Sequence, residues 1–352
     1  LLYISISFMF FFGCADLDLQ PTDMIAEEAV KKDPKLVEAF LTKIYANAVF
    51  EPNEEGGIAQ QDRLTDAVVG GEYTLMAPWQ NGIKASYHIP TASGAHNRLT
   101  RWHYGNIRSC NEIIEILNNA TFDASTIKTQ IAEAKFLRAW MYLDMAKRYG
   151  GMPLELTPKS VDAPVDELMI PRNTLKETYD QIIADLDAAS ADLPGVVNYG
   201  KASKWAAFAL KSRAALYAAR IAKYHPQSSN GLTSIPAGDA GAYYAKALQS
   251  AKAVIDGGKN PLYKGGANMV DRFSEIFYKD QNSEIIFAEQ YNLGLGKTHT
   301  WSGYGMPDGF KAGWGSNMHM YLASDARFEH ADGSPGNKHH SKFNNKVWFD
   351  IE

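Results

Sequence analysis

Cysteine is scarce in this 352-residue chain, and neither sign of charge dominates it. The 2 cysteines allow at most one disulfide, which excludes a small cystine-stabilised scaffold. The 35 Lys and Arg residues against 40 Asp and Glu residues give a formal net charge of -5, so we expect no basic surface for nucleic acid. With 45% hydrophobic and 21% charged residues, the composition excludes disordered, collagen-like and polytopic membrane proteins.

Familiar catalytic and metal-binding motifs are missing as well. No serine stands in the Gly-x-Ser-x-Gly of a nucleophile elbow, and neither Cys-x-x-Cys nor His-Glu-x-x-His occurs. Gly296-Lys297-Thr298 resembles the end of a phosphate-binding loop, but Tyr291 stands where that loop needs its first glycine. The sequence from Asp325 onward does not match the calcium-binding loop of an EF-hand, although a less regular site of oxygen ligands remains an alternative. We therefore expect no metal, no cofactor and no enzymatic activity.

A run long enough to span a membrane is lacking too, although one uncharged stretch opens the chain. Residues 1–13 carry no charge and are followed by Cys14. They are too few for a membrane-spanning helix, which takes about 20 residues, and they match the apolar centre of a secretion signal. A small residue before Cys is typical of bacterial lipoprotein signals. We expect a partial signal peptide over residues 1–13 and lipid attachment at Cys14; the alternative is a buried N-terminal helix.

Helical periodicity dominates residues 22–50 and 102–257. The clearest helix covers residues 131–149 and stops at Gly150-Gly151. Further helices are predicted over residues 26–50, 102–117, 175–193, 203–224 and 242–255, with Pro34 in a first turn and Thr174 as an N-cap. Alanine recurs at their contact positions, as in tetratricopeptide units. The pattern predicts a mainly α fold built on an irregular helical-repeat platform, with Trp102, Trp140 and Cys110 on apolar helix faces and no disulfide.

Residues 51–101 and 258–352 lack this periodicity and are rich in Gly, Asn and aromatic residues. One strand is predicted, over residues 284–290. Long irregular segments are usually functional when they are ordered. An aromatic ring can stack on the apolar face of a sugar while neighbouring amides bond its hydroxyls. The candidate glycan-binding residues are Trp79, Asn81, Tyr87, Trp301, Tyr304 and Trp314. For each ring, packing of the loop onto the platform is an equally good alternative.

Several sequence segments resemble those of one protein family, and they occur in the same order along the chain. The most distinctive segment runs from Glu133 through Arg138 to the Tyr-Gly-Gly-Met-Pro-Leu of residues 149–154. The others are Cys14 with residues 18–21, residues 102–107 with 110–114, Pro171-Arg172, residues 201–204, residues 284–287 and residues 328–333. Over residues 14 to about 333 the chain resembles the SusD/RagB family of nutrient-binding outer-membrane lipoproteins from Bacteroidetes.

The resemblance implies a single SusD-like domain over residues 14–352, in which a tetratricopeptide-like platform supports a loop-rich ligand-binding part. It also implies a lipid anchor at the cell surface, oligosaccharide or other nutrient as ligand, and delivery to a SusC-like TonB-dependent barrel transporter. Family members continue beyond the element at residues 328–333, so the resemblance implies a chain that is partial at both ends. Two other hypotheses stay open: a helical-repeat protein that binds a protein or peptide, and a secreted hydrolase whose paired carboxylates cannot be located from sequence.

Overall fold

The structure, a computed structural model, describes residues 27–48, 102–160, 162–292 and 294, and the backbone of residues 68–70 and 318–320. Most of these residues are helical. The helices are α1 (Glu27–Val30), α2 (Pro34–Asn47), α3 (Tyr104–Asn118), α4 (Ala124–Tyr149), α5 (Val165–Leu168), α6 (Leu175–Asp192), α7 (Lys204–Tyr224), α8 (Ala240–Gly257) and α9 (Met269–Tyr278). A 3₁₀ turn at Ala237–Asp239 leads into α8. The predicted mainly α fold is confirmed.

Helix ends follow the local chemistry of the sequence. Thr174 and Glu177 form a capping box at the start of α6, in which each side chain accepts from the other residue's backbone N–H. Pro34 occupies the first turn of α2, where its missing N–H costs nothing. Gly150 ends α4 with φ at 79°, a conformation that glycine adopts without strain. The helix predicted over residues 26–50 is interrupted before Pro34, so α1 and α2 are separate.

Neighbouring helices pack against each other in chain order. The long helix α4 packs on α6, α6 on α7, and α7 on α8, while α2 and α3 also pack on α4. This order is typical of stacked helix pairs, in which each unit buries its apolar face on the next. Helix α4 contributes buried side chains on all sides between residues 132 and 146. It is therefore the centre of the platform.

The core combines large side chains from α4 with small ones from α7. Phe136, Leu137, Met141 and Tyr142 of α4 are each no more than 2% exposed. Helix α7 instead buries a row of alanines, at positions 206, 207, 214, 215, 218, 219 and 222. Because alanine side chains are short, neighbouring helices can approach α7 closely. Cys110 of α3 is a free, fully buried cysteine on the apolar face where it was predicted.

Two predictions about the core and the strand are wrong. Trp102 is 65% exposed, because it precedes the first residue of α3 and so lies outside the apolar stripe, whereas Trp140 is buried as expected. Residues 284–290 form turns and irregular backbone instead of a strand. Side chains replace strand partners there, since Asn260 donates to the Ile285 carbonyl at 2.8 Å and Asn282 accepts from the Glu284 N–H at 3.0 Å.

The described strands join the two loop-rich parts of the sequence. Strand β1 (Val68–Gly70) pairs antiparallel with β2 (Met318–Met320), with Val68 opposite Met320. One strand belongs to the predicted loop-rich part 51–101 and the other to the part 258–352. Segments far apart in sequence therefore meet through backbone hydrogen bonds.

Candidate functional site

The sequence-predicted site residues lie outside the residues that the structure describes. They are Cys14 for lipid attachment, and Trp79, Asn81, Tyr87, Trp301, Tyr304 and Trp314 for glycan binding. These assignments stay predictions. The structure does describe the frame to which the loops carrying them attach.

The β1–β2 pair joins the two loop-rich parts that carry the predicted rings. In the sequence, Trp314 is four residues before Met318, and Trp79 is nine residues after Gly70. The pair thus brings together strands more than 200 positions apart, one from each of these parts.

The segment between the first loop-rich part and α3 is fixed to α4 by a buried polar contact. The Nε2 atom of His103 lies 3.1 Å from Oδ2 of Asp144, and the backbone N–H of His103 donates to the sulfur of Met145 at 3.4 Å. Burial alone would raise the pKa of Asp144. The hydrogen bond with His103 and the charges of Arg148 and Lys147 outweigh burial and lower that pKa. The ionised carboxylate therefore holds the entry to α3 in place.

The beginning of the second loop-rich part is fixed by hydrogen bonds and ring packing. The Tyr263 N–H donates to Glu284 at 3.0 Å, and the Tyr263 hydroxyl donates to Glu275 of α9. Further along, the ring of Phe287 packs on Phe136 of α4 with centroids 5.5 Å apart, and on Tyr45 of α2 at 6.5 Å. The start of this part is therefore a rigid extension of the platform.

Arg138 is the centre of a buried network that ties three helices together. Its Nε and Nη2 atoms donate to the two carboxylate oxygens of Asp185 on α6, at 2.8 and 2.7 Å. Its Nη1 donates to Oδ1 of Asn111 on α3 at 2.7 Å, and Gln181 donates to Asp185 at 3.1 Å. Arg138 and Asp185 are at most 5% exposed, so no ligand reaches this network from solvent. It stabilises the scaffold.

The Gly150-Gly151 turn permits two backbone segments to approach the end of α4. A Cβ atom at Gly151 would lie 2.1 Å from the Asn173 carbonyl oxygen, and one at Gly150 would lie 2.3 Å from that of Leu232. The Gly151 N–H donates to the Leu232 carbonyl at 2.7 Å. The most distinctive sequence segment of the chain thus serves close packing.

The described part of the chain also bears on metal, membrane and small-molecule binding. Among the described residues, no three His, Cys, Asp or Glu side chains come together as metal ligands. No described helix has the length and apolar character needed to cross a bilayer. A cavity of about 120 Å³ lies between α2 and α3, lined by Val37, Ile113 and other side chains. Ligand pockets are usually roughly 300–1,000 Å³, so this cavity is too small for an oligosaccharide.

A family model and a curated protein match a large part of the chain. The model, for SusD-like proteins described as starch-binding and associating with the outer membrane, matches residues 17–216, which is more than half of the chain. A SusD-like protein of Bacteroides ovatus is 25% identical over 213 residues, which are 59% of this chain and 37% of that protein. The match of the family model includes the segment around Arg138 and extends across most of the platform.

Solved structures of SusD-like proteins share the fold. One from Bacteroides fragilis superposes with a TM-score of 0.65 and 26% identity, over 90% of this chain and 57% of its own. Another from that species, a SusD-like carbohydrate binding protein, has a TM-score of 0.62 at 18% identity, over 87% of this chain and 55% of its own. At 18% identity the likeness concerns the fold alone. The chain spans little more than half of the length of these structures.

Proposed function

The chain belongs to the SusD-like family, and we propose that it binds oligosaccharides at the surface of a bacterial outer membrane and passes them to a transporter. The observation that carries the proposal is the β1–β2 pair, which tethers both ring-bearing loop-rich parts to one point. Loops on a rigid platform are a common arrangement for binding sites, because the scaffold keeps its shape while the loops vary.

The ligand class follows from the ring chemistry of the loops. An indole or phenol ring stacks on the C–H face of a pyranose, and an amide such as that of Asn81 bonds the hydroxyls at its edge. Because the family model is described as starch-binding, oligosaccharides of starch type are the first probes to use. Each stacked ring contributes about 1 kcal/mol, so we expect modest affinity.

Replacement of two loop rings tests the proposal. Trp79→Ala and Trp301→Ala should each weaken binding of a malto-oligosaccharide about fivefold, which corresponds to about 1 kcal/mol, as measured by isothermal titration calorimetry. Tyr224→Ala is the matched control, since this ring is 65% exposed at the end of α7, outside the loop-rich parts. Unchanged affinity in both tryptophan variants would move the site elsewhere.

The anchor and the partner are separate parts of the proposal. We expect Cys14→Ala, made in the protein as the bacterium expresses it, to move the protein from the membrane fraction to the soluble fraction. A variant that stays with the membrane would contradict lipid attachment at Cys14. We also expect a SusC-like TonB-dependent barrel to co-purify with the lipidated protein in mild detergent. Recovery of a bound peptide together with failure to bind any glycan would favour the helical-repeat peptide-binding alternative.

A further inference from the structure

One aromatic side chain of the platform is exposed although it is packed on other rings. The ring of Trp102 is 65% exposed and lies immediately before α3. Its centroid is 5.1 Å from that of Tyr104 and 5.7 Å from that of Tyr149, at interplanar angles of 54° and 81°. Tyr104 in turn meets the buried ring of Tyr142 at 6.3 Å. A chain of rings therefore leads from the core to a free indole surface.

Hydrogen bonds fix the segments that carry Tyr104 and Trp102. The Tyr104 hydroxyl donates to the Pro153 carbonyl at 2.7 Å. The segment of Trp102 is fixed by its neighbour His103, which is bonded to the buried Asp144. Because these rings are ordered before any ligand arrives, binding to them loses little conformational entropy.

Arg172 supplies a charged donor group next to the rings. Its Nε donates to the Gly151 carbonyl at 2.8 Å and its Nη2 to the Tyr149 carbonyl at 2.5 Å. Its positive charge also acts on the Tyr104 hydroxyl, where it opposes the rise in pKa that burial causes. Among the residues that the structure describes, Nη1 of Arg172 has no hydrogen-bond partner. This side chain is exposed, so that group can donate to a ligand.

The size and chemistry of this surface fit one sugar ring. A stable protein interface buries about 800 Å² on each partner, far more than one indole face. A pyranose needs one aromatic face for its C–H groups and donors at its edge for its hydroxyls. We propose that Trp102 and Arg172 form a second glycan-binding site, on the platform itself, in which the indole stacks on a pyranose and the guanidinium donates to a hydroxyl.

This inference rests on the proposed ligand class but not on the loop residues. Trp102→Ala should weaken malto-oligosaccharide binding about fivefold, as expected for the loss of one stacked ring of about 1 kcal/mol. Trp102→Phe should recover most of the affinity, because it keeps an aromatic face. Trp102→Leu fills part of the same space without that face, and it should bind as weakly as the alanine variant. Tyr224→Ala is again the matched control, since Tyr224 is also 65% exposed and lies on the platform, outside the loop-rich parts.

The outcomes separate this site from the loop site. Affinity should be measured by calorimetry, with the unfolding temperature of each variant measured in parallel. If Trp102→Leu folds like the wild type and binds the sugar equally well, the second site is overturned, and this holds even if Trp102→Ala unfolds. In that case a loss of affinity in Trp79→Ala and Trp301→Ala would leave the proposed function standing. If the unmodified chain binds no glycan, both proposals fail.

Discussion

Arg138 and Asp185 form a two-pronged ion pair across α4 and α6, with N–O distances of 2.8 and 2.7 Å. Both side chains are almost fully buried, at 5% and 3% exposure. Taking two charges out of water is costly, so such a pair is maintained only when its geometry is good and its other polar atoms are bonded. That condition is met here, because Arg138 also donates to Asn111 and Asp185 also accepts from Gln181. The pair fixes the relative position of the helices that support both loop-rich parts.

Removal of one charge should therefore destabilise the platform strongly. Asp185→Asn leaves Arg138 buried without its counter-charge, and we expect a loss of about 3 kcal/mol in the free energy of unfolding. Urea denaturation followed by far-UV circular dichroism measures this loss. Glu28→Gln is the matched control, because it makes the same change in an exposed ion pair with Lys31 and should have no measurable effect. Equal denaturation midpoints for both variants would contradict a stabilising role for the pair.

Two glycine-to-alanine changes should act in opposite directions. Gly151→Ala places a Cβ atom 2.1 Å from the Asn173 carbonyl, so the turn after α4 must move, at a cost of about 3 kcal/mol. Gly105 lies in the first turn of α3 with no atom within 4 Å of an added Cβ. Gly105→Ala should therefore stabilise the protein by up to about 1 kcal/mol, through helix propensity. Thermal unfolding compares the two, and a stable Gly151→Ala variant would contradict the close packing of the turn.

The buried carboxyl group of Glu133 should make stability depend on pH. Burial raises its pKa above the ordinary value of 4.5, although Lys201 and a hydrogen bond with Tyr45 partly oppose this. Within the part of the chain that the structure describes, its Oε2 atom has no hydrogen-bond partner. A raised pKa means that folding takes up a proton, so this contribution to stability is complete below pH 4.5 and is lost as the pH rises through the folded-state pKa.

Glu133→Gln removes this titration, and we expect the variant to lose less stability than the wild type as the pH rises, because the amide carries no charge that must be buried. Denaturation curves collected between about pH 4 and pH 8 give the comparison. Glu115→Gln, at an exposed position, is the control and should leave the pH dependence of the unfolding free energy unchanged. If the unfolding free energy of Glu133→Gln changes with pH as that of the wild type does, Glu133 does not change its protonation on folding.

Cys110 should resist thiol reagents in the folded protein. Burial raises the pKa of its thiol to about 12, while the charge of Arg138 lowers that pKa and the charge of Asp185 raises it by smaller amounts. At pH 8 the reactive thiolate is then almost absent, and the fully buried side chain is inaccessible. In a Cys14→Ala chain, which leaves Cys110 as the sole cysteine, labelling by a disulfide reagent should follow the unfolding of the protein. Rapid labelling without denaturant would contradict the buried position.

The helices could be predicted from the sequence because their signals are local. The capping box at Thr174 and the stop at Gly150 are formed by residues within one turn of the helix end, so their spacing is visible in the sequence. Trp102 shows the limit of this reasoning. It lies two residues before α3 begins, and this small displacement moves its ring from the expected core to the surface.

Long-range contacts could not be predicted. Arg138 and Asp185 are 47 residues apart, and no periodicity indicates that their side chains meet. The apolar residues around Ile286 have the composition of a strand, but side chains from Asn260 and Asn282 bond their backbone in place of a neighbouring strand. For the candidate site, the sequence predicted loop rings that stay predictions, and it missed the exposed ring of Trp102.

Glycan binding without turnover is the central claim, and one titration tests it most directly. The purified chain is titrated with malto-oligosaccharides in a calorimeter, and the recovered sample is assayed for new reducing ends. We expect saturable binding and an unchanged number of reducing ends, because the proposed site stacks sugars on rings and performs no chemistry. No heat of binding to these sugars or to a wider set of glycans, or a rise in reducing ends that depends on the protein, would contradict the account.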